Sequence, residues 1–364
     1  MSAFLPAIFM IIIGLVVLVA GGDLLVRGAS KLAAYARISP LVIGLTVVAM
    51  GTGAPELAVT LQSCLNGETD LAVGNVVGSN IVNVLLVLGL SALLAPLVVS
   101  SQLVRWDVPV MIAASFSLLI LGWDGVVSRI DGTLCVVMLL MYFIWSVIQS
   151  RKESVDVQQE LTPDIKVPGR ASWKDYLVQG ILIALGLILL GFGSHILVRG
   201  CVTIAEIFGV SQLLIGLTIL SIGTSLPEVV ASLMATVRGQ REIAVGNVVG
   251  SNLFNILGAL GLSAVLAPNG VAVSHAALHF DIPVMIAVAV ACLPIFFTGH
   301  LIARWEGGLF FGYYVAYLTY LVLRASAAPL TTQFSTVMIV FVIPLTIITL
   351  LIGVYRSLRG GPRG

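Results

Sequence analysis

Charge is what this 364-residue chain has least of: Asp, Glu, Lys and Arg make up 10% of it, against about a quarter of a soluble domain. Hydrophobic residues make up 59%, so most of the chain has to be solvated by lipid. A net charge of +1 without any cluster of Lys and Arg offers no field for nucleic acid or an acidic partner. The four cysteines, Cys64, Cys135, Cys201 and Cys292, lie far apart in apolar or small-residue stretches without metal-ligand spacing, and read as small buried hydrophobes. There is no GxxxxGK[ST] phosphate loop, so neither nucleotide nor cofactor is expected. Nor is there a nucleophile-base pair or catalytic metal motif, so no enzyme is expected.

What is present is apolar sequence, enough at roughly 20 residues per span for ten or eleven membrane helices. The first 22 residues carry no Lys or Arg ahead of an apolar stretch too long for a signal-peptide core, and are expected to be retained as the first span. The segment AVGNVVGSN occurs at 72–80 and again, unchanged, at 244–252. At the same offset GLTVVAMGTGAPELAVTL from Gly44 answers GLTILSIGTSLPEVVASL from Gly216, and LLVRG at 24–28 answers ILVRG at 196–200. Further on, DVPVMIA from Asp107 answers DIPVMIA from Asp281, and RIDG from Arg129 answers RWEG from Arg304.

Apolar runs divide each copy into five spans, at about 5–27, 40–65, 71–96, 107–122 and 132–149, then 176–198, 211–237, 243–267, 281–298 and 307–323. An eleventh, at about 335–355, has no counterpart. The fold class expected is therefore an all-α membrane protein: a first repeat over 1–149, a charged, solvated loop over 150–175, a second repeat over 176–325, and an additional helix with a basic tail over 326–364.

An odd number of spans per copy inverts the second copy relative to the first. Charge placement tests this independently: with the N-terminus outside, fifteen Lys and Arg fall in inner loops and three, Arg129, Arg199 and Arg324, in outer ones. The expected localisation is the cell (inner) membrane with a cytoplasmic C-terminus. Inverted repeats are the architecture of secondary transporters.

A charge deep in a span costs roughly 2.5–3.5 kcal/mol on insertion scales and needs a reason. Glu56 and Glu228 are such charges, at matching positions in the second and seventh spans, each directly after a proline, Pro55 or Pro227. Proline removes a backbone donor and clashes with the carbonyl four residues earlier, so both helices are expected to kink there and free carbonyl oxygens. Residues four apart share a helix face, which aligns Thr52, Glu56 and Thr60, and equally Thr224, Glu228 and Ser232. The same spacing aligns Asn75, Ser79 and Asn83 in the third span and Asn247, Ser251 and Asn255 in the eighth. Gly74 and Gly78, and Gly246 and Gly250, supply a small-xxx-small pattern expected to draw the helices together. One glutamate alone reads as a hydrogen-bonding group; two in symmetric Pro-kinked motifs read as ligands. Oxygen without Cys or His suits a hard cation such as Ca²⁺, which two carboxylates neutralise. Asp23, Asp107 and Asp281 read as helix-end caps or interfacial groups.

At these residues the chain resembles the cation/calcium exchanger superfamily, specifically the prokaryotic Na⁺/Ca²⁺ exchangers. GTGAPE with GNVVGSNIVN and GTSLPE with GNVVGSNLFN carry the likeness, together with the inverted five-plus-five layout. The resemblance implies Glu56 and Glu228 as central ligands, with side-chain oxygen from Thr52, Ser79, Asn83, Thr224, Ser225 and Ser251. It also implies that carbonyls near Ala49 and Ser221 line the ion path. Two positions depart from the family: Gly53 stands where a serine is usual, and Asn255 where many relatives have an aspartate, which leaves two carboxylates at the centre.

The function expected is antiport of Ca²⁺ against Na⁺ by alternating access at a midplane carboxylate site. Exchange of Ca²⁺ for H⁺ is the alternative, because a carboxylate withdrawn from water gains affinity for protons. A passive cation channel, recognisable by gradient-independent conductance, is the remote one. The partners expected are these ions and the lipid bilayer; the oligomeric state is not legible.

Overall fold

The structure is a computed structural model, and it describes residues 4–152, 172–210, 215–326, 328 and 330–359. Most of the 150–175 loop and the start of the seventh span thus lie outside the described residues. The first repeat comprises α1 (Phe4–Ala36), α2 (Pro40–Thr52), α3 (Ala54–Leu65), α4 (Thr69–Leu94), α5 (Leu103–Leu121) and α6 (Arg129–Arg151). The second comprises α7 (Trp173–Ile207), α8 (Thr218–Thr224), α9 (Leu226–Val237), α10 (Arg241–Leu266), α11 (Ala277–Phe297) and α12 (Arg304–Ala325), and α13 (Leu330–Ile352) follows. The pairs α2–α3 and α8–α9 are single spans, bent by 46° and 59°. Counting each pair once, the described residues hold eleven helices long and apolar enough to cross a membrane. The fold is an all-α membrane fold of two repeats with one helix added.

Burial sorts these helices. In α4 and α10, 83% and 89% of the membrane window is buried, against 22% in α1, 28% in α7 and none in α13. The two helices that carry the repeated AVGNVVGSN therefore form the centre, and the others wrap them. The first span is longer than its apolar run suggests: α1 has 33 residues, about 50 Å of helix against a hydrocarbon core of about 30 Å. It packs along α7 through Gly14, Gly21 and Gly28 on one helix and Gly186, Gly193 and Gly200 on the other, each set spaced by seven. A Cβ on Gly21 would meet Leu190 N at 2.8 Å and Gly186 O at 2.9 Å, so backbone runs against backbone along this seam.

Two short antiparallel ribbons absent from the expected all-helical layout tie the repeats together. β1 (Leu97–Val98) pairs with β4 (Leu301–Ile302), and β2 (Val126–Val127) with β3 (Val271–Ala272). Each ribbon joins a loop of one repeat to a loop of the other.

The three aspartates, expected as helix-end caps or interfacial groups, sit differently: Asp107 and Asp281 stand at helix N-cap positions without a side-chain cap bond, and Asp23 does not. Asp23 lies inside α1, where it pairs with Arg27 at 2.9 Å and with Arg238 beyond the end of α9. Asp107 is fully buried and accepts a 2.8 Å hydrogen bond from the Tyr142 hydroxyl of α6. Asp281 lines a cavity described below.

Candidate cation-binding site

Both predicted kinks are present. The backbone leaves helical geometry at Gly53 (φ −78°, ψ 1°) and at Ser225 (φ −85°, ψ 4°), with Pro55 and Pro227 in the first turn of the helix that follows. Glu56 and Glu228 sit in those same first turns, where the unpaired N–H groups and the helix dipole favour negative charge. Both are fully buried, and each lies within electrostatic reach of the other.

Most of the oxygen-bearing residues anticipated from the sequence are withdrawn from solvent. Thr52, Ser79, Asn83, Ser225, Ser251 and Asn255 are buried, and Thr224 is half-buried. Ser225 donates to Glu56 Oε1 at 3.2 Å, so the break in one repeat holds the carboxylate of the other. The Ala49 carbonyl accepts the Gly53 N–H at 3.0 Å across the bend. Ser221 opens the last turn of α8.

Thr60 and Ser232, expected on the oxygen face, are committed elsewhere. Asn75 Nδ2 donates to Thr60 Oγ1 at 3.0 Å and to the Glu56 carbonyl at 3.2 Å; Asn247 Nδ2 donates to Ser232 Oγ at 3.0 Å and to the Glu228 carbonyl at 3.4 Å. These amides clip α4 to α3 and α10 to α9. Thr52, beside Glu228, turns its hydroxyl to Asn247 Oδ1 at 3.2 Å.

What remains is a set of buried oxygens without a hydrogen-bond donor among the described residues: Glu56 Oε2, Glu228 Oε1 and Oε2, Asn83 Oδ1, Asn255 Oδ1 and Ser251 Oγ. Burying a carboxylate is costly unless it is paired or coordinates a metal ion. Ca²⁺ accepts six to eight oxygens of this kind. Among the described residues no group of three or more His, Cys, Asp and Glu that could hold a metal ion is present.

Sequence reasoning missed three features. Asn83 and Asn255 stand at the start of wide π turns, Asn83–Leu88 in α4 and Phe254–Leu260 in α10, a distortion frequent at functional sites. Asn80 and Asn252, one turn earlier, are buried against each other across the repeat boundary; their place in the duplicated GSN was the available signal. The third is an asymmetry. At the crossing of α2 and α10 a Cβ on Gly246 would meet Leu41 O at 2.6 Å, and Gly250 presses on the Leu45 backbone. In the first repeat, Gly74 and Gly78 have nothing within 4 Å of a Cβ among the described residues; the counterpart of Leu41, residue 213, lies outside them. They face a cavity of about 890 Å³ whose wall includes Ser79, Thr224, Asp281 and Tyr317. The close approach expected of both glycine pairs is seen at Gly246 and Gly250, while the one expected of Gly74 and Gly78 falls partly outside the described residues.

Comparison with known proteins agrees with this architecture. The family described as Sodium/calcium exchanger protein matches residues 6–151 and 178–323. The sodium/calcium exchanger MaX1 of Methanosarcina acetivorans is 31% identical over 341 residues, covering 85% of this chain and 97% of that one. The inner membrane protein YrbG of Escherichia coli K12 is 35% identical over 294 residues, covering 79% and 87%. Among solved structures, the sodium-calcium exchanger NCX_Mj soaked with zero Na⁺ and Ca²⁺ superposes with a TM-score of 0.74 at 28% identity, covering 87% of this chain and 99% of that one. With its repeats matched over nearly their whole length, this chain belongs to the sodium/calcium exchanger family, whose members are secondary transporters, integral to the membrane, that exchange cations with Ca²⁺.

Proposed function

We propose that the protein exports Ca²⁺ from the cell in exchange for entering Na⁺, both ions using in turn the site built around Glu56 and Glu228. The observation that carries this reading is the set of six buried oxygens without donors on both sides of the repeat boundary. Two carboxylates balance one Ca²⁺; emptied, they leave like charges facing each other in a dry site, so return requires another cation. Thr52, Ser79, Asn83, Thr224, Ser225, Ser251 and Asn255 supply the remaining side-chain oxygen, and the carbonyls near Ala49 and Ser221 the approach.

Alternating access follows from the inverted repeats. The contact that Gly246 and Gly250 make with α2 has a counterpart for Gly74 and Gly78 in the inverted repeat, and exchanging the two closes the cavity on one side while opening the other. The fifteen-to-three charge split orients the chain with its N-terminus outside and the 150–175 loop inside. The cavity, which reaches Asp70 and Leu71 at the start of α4, then opens outward.

The test is ⁴⁵Ca²⁺ uptake into proteoliposomes loaded with Na⁺. Uptake that follows an outward Na⁺ gradient at fixed pH supports the proposal; uptake that follows only a pH gradient assigns the counter-ion role to H⁺, and conductance without coupling makes the protein a channel.

A further inference from the structure

Asn80 and Asn252 belong to no ligand set, yet both are buried at the repeat boundary, 2% exposed. Asn80 Nδ2 points at the main-chain carbonyl of Asn252 at 3.4 Å and at Met285 Sδ at 3.4 Å. Asn252 Nδ2 points at the Asn80 carbonyl at 3.5 Å and at Met111 Sδ at 3.5 Å. A carbonyl oxygen can only accept, and a thioether is at best a weak acceptor. Each of these amides therefore has its NH₂ end fixed by the opposite repeat, and its oxygen must face the other way.

That oxygen meets a second asparagine. Asn255 Nδ2 donates to Asn80 Oδ1, and Asn83 Nδ2 donates to Asn252 Oδ1, both at 3.1 Å. The amide nitrogens of Asn83 and Asn255 are thus occupied, and their own oxygens are turned away from this contact, buried and without a donor. Polarity runs in one direction, from a main-chain carbonyl through an outer amide to an inner one. The inner amide ends on an acceptor.

Resting on the cation-exchange reading above, we propose that Asn80 and Asn252 are positioning residues that make Asn255 and Asn83 cation ligands. Each holds the amide of the opposite repeat with oxygen, not NH₂, toward the site. An amide turned over would present two donors to a cation, so the two orientations differ by a ligand gained or lost. The need is peculiar to an amide. A carboxylate at 255 offers oxygen in either orientation and gains nothing from being held.

The test is a double-variant comparison of Asn80→Leu in the parent and in Asn255→Asp, reading the KM for Ca²⁺ in proteoliposomes under a fixed Na⁺ gradient. In the parent, Asn80→Leu raises KM by roughly 10- to 100-fold, the usual loss when a residue that orients a metal ligand is removed. In Asn255→Asp the same change leaves KM unaltered or lowers it, because it removes an oxygen that faces a carboxylate. If the Leu variant fails to insert, the mirror set of Asn252→Leu with Asn83→Asp is read in the same way. An unchanged KM for Asn80→Leu in the parent, or the same rise in both backgrounds, overturns the proposal. A parent that moves no Ca²⁺ overturns instead the function on which the proposal rests.

Discussion

Single methyl groups at the four repeated glycines discriminate between the two crossings. In the present conformation a Cβ at Gly246 would sit 2.6 Å from Leu41 O and 3.1 Å from Leu45 N, both main-chain atoms that cannot rotate aside. Overpacking of this kind costs about 1–3 kcal/mol. Among the described residues a Cβ at Gly74 or Gly78 meets nothing within 4 Å here, and it is crowded only when the counterpart crossing closes. The gain in helix propensity from glycine to alanine is the same in both conformations and cancels from their ratio. Gly246→Ala therefore moves the balance away from the present conformation, and Gly78→Ala toward it, each by roughly 5- to 150-fold at 1.4 kcal/mol per tenfold. The balance is read as the labelling rate of a cysteine placed at Leu71 in the cavity wall, with Cys201 replaced by serine. Labelling falls in Gly246→Ala and rises in Gly78→Ala, while both slow steady-state exchange. Equal labelling of the two variants, or parental exchange rates in both, refutes the swap of crossings.

Glu56→Gln and Glu228→Gln each remove one of the two charges that balance the ion and reduce Ca²⁺ flux to the background of empty liposomes, without loss of membrane insertion; parental flux in either variant would take that glutamate out of the site. Cysteines at Asp124 and Ser172, both exposed, report orientation: an impermeant reagent applied to intact cells labels position 124 and spares 172, and the reverse pattern would invert the topology. Tyr142→Phe deletes the 2.8 Å hydrogen bond to buried Asp107 and lowers the melting temperature in detergent by the equivalent of about 1–3 kcal/mol; an unchanged melting temperature would mean that Asp107 is satisfied without it.

Much of this was legible because the chain states it twice. A proline directly before a glutamate inside an apolar run forces a kink and demands a reason for the charge, and its repetition at Pro55–Glu56 and Pro227–Glu228 located the centre. Fourfold spacing found Ser79, Asn83, Ser251 and Asn255. It also put forward Thr60 and Ser232, because spacing defines a helix face but not which neighbour has already taken a hydroxyl. The π turns at Asn83 and Phe254 have no local signature; tertiary packing widens them. Strands of two residues are too short for any alternation to show. The asymmetry was beyond reach in principle. AVGNVVGSN is the same nine residues in α4 and α10, yet among the described residues only the copy in α10 is clamped, a difference those nine residues do not carry.

The counter-ion is the central claim, and initial-rate ⁴⁵Ca²⁺ uptake into proteoliposomes with the Na⁺ gradient and the pH gradient imposed separately tests it directly. Uptake is expected to rise with internal Na⁺ at equal pH, to fall away when Na⁺ is equal on both sides, and to be lost in Glu228→Gln. Uptake indifferent to Na⁺ but driven by internal acid would contradict the claim.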